Sequence, residues 1–167
     1  MINFQSPKTQ QNRRFIAVDL ENIVRSPRPT LALAIAEAHK IQSLLKIQDS
    51  DLVVVAGACG NALVVGHVAT QLHGQARCRN GRDGADLVLL EDLIQLPAQS
   101  LKSKTMPINE IVIASGDHIF AEYAKREKSL GVFITVLAYR QSLSFELAQA
   151  CNRVIYLDQN EINQLAA

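Results

Sequence analysis

Apolar positions along the chain follow two alternating rhythms. One is the short unbroken run of β-branched and aliphatic residues: Phe15-Ile16-Ala17-Val18, Leu52-Val53-Val54-Val55-Ala56, Ile111-Val112-Ile113-Ala114, residues 132–137, and Val154-Ile155-Tyr156-Leu157. Runs of this kind, without polar alternation, are those of strands covered on both faces. The other rhythm is helical. Leu31, Ala34, Ile35, Ala38, Ile41 and Leu45 recur at three- and four-residue spacing, with Glu37, Lys40 and Gln42 between them. That spacing predicts an amphipathic helix of about four turns. Thr30 stands where it can cap this helix, after a 26–30 loop broken by Pro27 and Pro29. Further helices are predicted over residues 62–72 and 85–95, from Asp117 to Ser129 with Gly131 closing it, and after Ser142 or Ser144. Residues 75–80 alternate Ala76 and Cys78 with Arg77 and Arg79, the pattern of a short edge strand. Residues 1–12 are polar and lack an apolar period, which reads as a flexible N-terminal tail. Residues 97–107 read as a polar connector. Strands alternating with helices predict an α/β fold, doubly wound. Its mostly parallel sheet has about five to six strands with helices on both faces, and residues 13–167 form a single domain.

Composition narrows the picture. A chain of 167 residues has the length of one domain. With no Trp and aromatics at 5%, its core must be aliphatic. A formal net charge of +1 excludes a globally basic surface, so any contact with nucleic acid must come from a local patch. Cys59, Cys78 and Cys151 form no CxxC and cannot all pair, as expected of free thiols in a reducing cytoplasm. Their spacing does not suit a zinc site. No apolar run is long enough to span a bilayer, and residues 1–11 carry no hydrophobic signal region. The expectation is a cytoplasmic protein with no membrane partner.

In an open parallel sheet, ligands sit beyond the carboxyl ends of the strands. Two predicted strands run into acids there, the first at Asp19 and the fourth at Asp117. A third acid, Asp86, opens a helix directly after the glycine-bearing loop of residues 80–84. A lone Asp at a strand end or helix start is commonly structural, because it bonds free backbone N–H groups. Three near one sheet end change the balance, since clustered carboxylates repel and a bound cation offsets that repulsion. Donors that are oxygen alone favour Mg²⁺ or Mn²⁺ over Zn²⁺. No GxGxxG or Walker lysine loop follows the first strand, so a small-molecule organic cofactor is not expected.

The same residues carry a family resemblance. Asp19-Leu20-Glu21-Asn22-Ile23 resembles the Asp-x-x-Asn signature that ends the first strand of NYN domains, a branch of the PIN-like nucleases. Gly84-Ala85-Asp86-Leu87-Val88-Leu89 resembles that family's Gly-x-Asp helix opening, and Ser115-Gly116-Asp117-His118-Ile119-Phe120 its Ser-Gly-Asp-x-Asp-Phe motif. The resemblance spans residues 14–158. It implies a metal-dependent ribonuclease, cutting RNA internally, with Asp19, Asp86 and Asp117 as ligands of Mg²⁺ or Mn²⁺. A divalent ion would there activate a water and stabilise charge on the scissile phosphate. Asn22 would orient Asp19 or touch the phosphate; the other reading is a turn residue bonding its own backbone. The resemblance also implies pairing into a homodimer. One position departs from the motif: Ile119 stands where the family has a second acid. That departure feeds an alternative, a catalytically weakened PIN-like module that binds RNA or protein. Glu122, Glu91 and Asp92 are candidate replacement acids, or else solvated surface charges. His118 is a candidate for contacting phosphate or moving a proton. Arg79, Arg82 and Arg140, with Arg25 and Arg28, fall in or beside loops at the same sheet end and are candidates for RNA phosphate contacts.

Overall fold

The computed structural model describes residues 13–100 and 107–159, with the backbone alone at 96–100. The tail of residues 1–12 and residues 101–106 of the connector lie outside the described residues, as do residues 160–167. The described strands are β1 (Arg13–Asp19), β2 (Leu52–Gly57), β3 (Gln75–Cys78), β4 (Ile108–Ala114), β5 (Phe133–Ala138) and β6 (Arg153–Tyr156). They form one sheet in the order β3-β2-β1-β4-β5-β6, and every pairing is parallel. The strand order reverses between β1 and β4, which makes their carboxyl ends the switch point of a doubly wound sheet.

The helices are α1 (Leu20–Val24), α2 (Leu31–Leu45), α3 (Ala62–Gln71), α4 (Gly84–Ser100), α5 (Ala121–Ser129) and α6 (Phe145–Ala150). Period-two alternation sorts the strand residues onto two cores. Ile16, Val18, Val53, Val55 and Val112 pack under α1, α2 and α3. Phe15, Ala17, Val54, Ala56, Ile111 and Ile113 pack under α4, α5 and α6. This is why the strand runs are continuously apolar, as both sides of each pleat leave water. Each fully buried Ile or Val contributes about 1.5–3 kcal/mol by that transfer.

At the amino ends of the strands, Arg14 ties three segments together. Its Nε lies 3.1 and 3.2 Å from the two oxygens of buried Asp51, and its Nη1 donates to the carbonyl of Leu45 at 3.0 Å. The charge pair thus closes the carboxyl end of α2 against β1.

Three boundaries differ from the sequence expectation. Residues 20–24 form α1, which is too short to show a helical period. β4 begins at Ile108, three residues before the apolar run. α4 continues through Pro97, where the sequence predicted a connector. Proline lacks an N–H, so the carbonyl four residues earlier loses its helical partner. That carbonyl belongs to Leu93, and the buried Tyr123 hydroxyl donates to it at 3.0 Å. A side chain from α5 thus replaces the missing bond and lets the helix pass the proline. Tyr123→Phe is expected to cost about 1–2 kcal/mol in urea unfolding. Pro97→Ala returns an N–H to Leu93, so the same Tyr123→Phe change made in that background should cost clearly less. Equal costs in both backgrounds would remove this explanation.

Candidate functional site

β1 ends at Asp19, which caps α1: its carboxylate accepts the Asn22 N–H at 3.3 Å. β4 runs into Ser115, Gly116 and Asp117. The Ser115 hydroxyl donates to Asp19 Oδ2 at 3.1 Å and accepts the Asp117 N–H at 3.2 Å. One buried serine therefore spaces the two strand-end acids across the switch point. Asp86 arrives from the first turn of α4, and the three line one cleft of about 230 Å³ together with Glu21, Asn22, Ala58, Arg79 and the 81–85 loop. A larger groove of about 540 Å³ runs between α5 and α6. It gathers Glu122, Lys125 and Lys128 away from the strand ends, and the three aspartates take no part in it.

The acids are not equivalent. Asp19 and Asp86 are 5% and 8% exposed and share a hydrogen bond. Burial raises both carboxyls above their ordinary range. Asp19 is partly held down by the Asn22 N–H, by Asp86 and by the Ser115 hydroxyl. Asp86 has no such donors. Its burial, then the charges of Asp19, Asp117 and Asp83, push it up to about 8. The shared proton therefore belongs to Asp86, which donates to Asp19. Its Oδ1 is buried with no hydrogen-bond partner. Asp117 is more open, and its Oδ1 accepts the Ile119 N–H at 2.9 Å with His118 Nδ1 at 3.0 Å. Among the described residues, no three His, Cys, Asp or Glu side chains form a ready-made metal cage.

Asn22 does not donate to the acids in any described contact. Its Oδ1 accepts the Gly116 N–H at 2.9 Å, which locks α1 to the turn after β4. His118 is exposed beside Asp117. The arginines divide. Arg79 lines the cleft, but its Nη1 lies 2.6 Å from Glu91 Oε1. Arg82 is exposed on the 80–84 loop. Arg140 lies outside the cleft, its guanidinium 3.8 Å from the centre of the Tyr156 ring. The candidate replacement acids are placed elsewhere: Glu91 pairs with Arg79, Asp92 with Arg77, and Glu122 lies in the α5–α6 groove. Ile119 is half-buried and packs against the core beneath α5.

Sequence reasoning passed over two cleft acids. Glu21 Oε1 accepts the Ala58 N–H at 2.7 Å and the Asn61 amide at 2.6 Å, which pins the turn after β2 to α1. Its place inside the Asp-x-x-Asn run was the available signal. Asp83 sits in the 80–84 loop with a left-handed backbone, φ 58°.

Comparisons with known proteins speak to the fold. No family model matches the chain, and no curated protein matches it. A crystal structure of a protein of unknown function from Vibrio parahaemolyticus aligns with a TM-score of 0.66 at 13% identity, covering 93% of this chain and 98% of that one. Likeness at that identity is one of architecture.

The shared proton makes metal-free stability depend on pH. In the folded protein Asp86 holds its proton up to about pH 8. In the unfolded chain it ionises near the ordinary value of 3.8. The folded state therefore binds the extra proton between these values, and the Asp86 contribution to stability falls as pH rises from about 4 to 8. Asp86→Asn keeps a donor for Asp19 and removes the titration. In chelator, the variant should gain steadily on wild type as pH rises from about 4 to 8. A constant difference across that range would remove the shared proton.

Proposed function

We propose that the chain is a metal-dependent ribonuclease of the PIN-like type, cutting RNA internally at the cleft between β1, β4 and α4. The observation that supports this best is the meeting of acids from three separate elements at the switch point, with the buried Asp86 Oδ1 left unpartnered. Burying carboxylates against one another is costly, and a cation offsets that cost. The donor set of Asp19, Asp86 and Asp117 is oxygen alone, which suits Mg²⁺ or Mn²⁺ completed by water. When bound, such an ion lowers the pKa of a water and polarises a phosphate. Around it, Ser115 holds Asp19 and Asp117 in register, Asn22 fixes the Gly116 turn, and Glu21 holds the opposite wall through Ala58. His118 is exposed next to Asp117, its Nδ1 3.0 Å from Asp117 Oδ1.

A second reading has its own support. Ile119 occupies the place of an acid in the resembled motif and packs on the core instead. On that reading the cleft binds RNA or a protein partner without cutting.

Calorimetric titration of Mn²⁺, run beside cleavage of single-stranded RNA, separates the two. Wild type is expected to bind Mn²⁺ and to cut. Asp19→Asn, Asp86→Asn and Asp117→Asn should each lose most of the cleavage, by about a hundredfold or more, while keeping the fold. Binding of RNA without Mn²⁺ uptake or cleavage would favour the second reading.

Ile119→Asp is informative in both directions. It gives up part of an apolar contact and should lower metal-free stability by about 1–3 kcal/mol. If the site is short of one ligand, the variant should also bind Mn²⁺ more tightly than wild type and regain stability when Mn²⁺ is added. A lower melting point that does not respond to Mn²⁺ would show that position 119 serves the core alone.

A further inference from the structure

Two arginines at the carboxyl end of the sheet lie against tyrosine rings. Arg25 ends α1 with φ 57°, and its guanidinium lies 4.1 Å from the centre of the Tyr139 ring. Tyr139 directly follows β5 and is held in place at its hydroxyl, which bonds Glu37 at 2.8 Å and Lys40 at 2.9 Å. Arg140, the next residue, covers Tyr156 at 3.8 Å, and Tyr156 is the register partner of Ala138 at the end of β6.

Both stacks hang on the turn that carries Asp117. The Gly116 N–H donates to Asn22 of α1, the helix that ends in Arg25. The Gly116 carbonyl accepts the Ser144 N–H at 2.8 Å, from the loop that begins at Tyr139. A Cβ at Gly116 would lie 2.1 Å from the Ser142 carbonyl oxygen, so this loop rests directly on the turn beside the site. From β1 across β4 and β5 to β6 is three strand spacings, roughly 14 Å. That is room for a short run of phosphates.

Charge availability separates this side from the other. On the β3 side, Arg77 and Arg79 are taken up by Asp92 and Glu91 of α4 at 3.1 and 2.6 Å. On the β5 side, Arg140 makes only a long ion pair among the described residues, Nε to Asp158 Oδ1 at 3.8 Å. Among the described residues no carboxylate pairs with Arg25. A guanidinium stacked on a ring is pre-oriented and keeps its N–H edges for a planar acceptor. Each arginine covers a face of its tyrosine, so contact at these two positions falls on the phosphate backbone and is indifferent to sequence.

We infer that Arg25 on Tyr139 and Arg140 on Tyr156 form a phosphate-binding track, over which single-stranded RNA leaves the cleft across the carboxyl ends of β5 and β6. The inference rests on the ribonuclease reading for its direction, and it replaces Arg79 as a principal phosphate contact.

The test measures binding of a labelled oligouridylate by the full chain in chelator, where no cutting intrudes, over a series of salt concentrations. Arg25→Gly removes the guanidinium and suits the left-handed backbone. Arg140→Gln keeps length over the ring. Each is expected to weaken binding about threefold to tenfold, and the pair together to lower the salt slope by about two. Arg79→Ala is expected to stay within about twofold of wild type, its guanidinium being paired with Glu91 at 2.6 Å. Urea melts on each variant verify the fold. Unchanged affinity in Arg25→Gly and Arg140→Gln, or a loss confined to Arg79→Ala, overturns the track. Wild-type cleavage with Mn²⁺ is read in parallel. Unchanged variants beside intact cleavage reject the track and leave the nuclease standing. A wild type that neither binds nor cuts rejects both.

Discussion

The backbone of Gly116 is the contact on which the carboxyl end of the sheet depends. Three segments remote in sequence meet there: α1 through Asn22, the turn between β4 and α5, and the 139–144 loop. Asn22 reaches Gly116 through its side chain, and the 139–144 loop approaches it backbone to backbone, at a distance that any Cβ would forbid. The 139–144 loop rests on the turn after β4, while the 80–84 loop and the amino end of α4 line the cleft from the other side. Asp19, at the start of α1, and Asp117, after Gly116, are also held at a fixed spacing, with the Ser115 hydroxyl bonded to both groups. The fold thus sets the distance between charges through a glycine that carries no chemistry.

Within that frame the three acids are told apart by their donors. Asp19 receives a backbone N–H and a serine hydroxyl. Asp117 receives the Ile119 N–H and stands beside His118. Asp86 is as buried as Asp19 but is given no donor, and it meets negative neighbours on three sides. A carboxyl so placed keeps its proton, because desolvation and repulsion both disfavour the ionised form. The same features that raise Asp86 would favour a cation in place of the proton, which is why its environment bears on function as well as on stability.

Much of this was legible in the residue pattern. Apolar runs halting at Asp19 and at Ser115-Gly116-Asp117 mark the strand ends, and a glycine loop before Asp86 marks the third approach. The doubly wound sheet follows from the same alternation. What escaped was non-local. Pro97 reads as a helix end because the donor that rescues it, Tyr123, comes from another helix. Arg79 reads as a free cation in a loop because its partner, Glu91, lies on the helix beyond the next turn. Arg25 reads as a candidate phosphate contact in a loop, and nothing near it in sequence announces Tyr139. In each case the partner lies on another element, beyond the reach of the local pattern. Periodicity reports which face is buried but not which side chain from another element fills a vacant bond.

Arginine pairing also bears on how a chain of net charge +1 could handle a polyanion. Several basic groups are consumed in structural pairs, such as Arg14 with Asp51 and Arg153 with Glu110. The cleft itself is acidic, and alone it would repel a phosphate. On the proposed function, a phosphate reaches the aspartates only after a cation has offset them, while arginines resting on tyrosines supply attraction nearby without neutralising the acids. Affinity for RNA and affinity for the ion are then thermodynamically linked, each raising the other by the same factor. The separation of stacked arginines from clustered aspartates is what permits that linkage. Had the same arginines paired with Asp19 or Asp86, they would have stabilised the apo fold at the expense of ion binding.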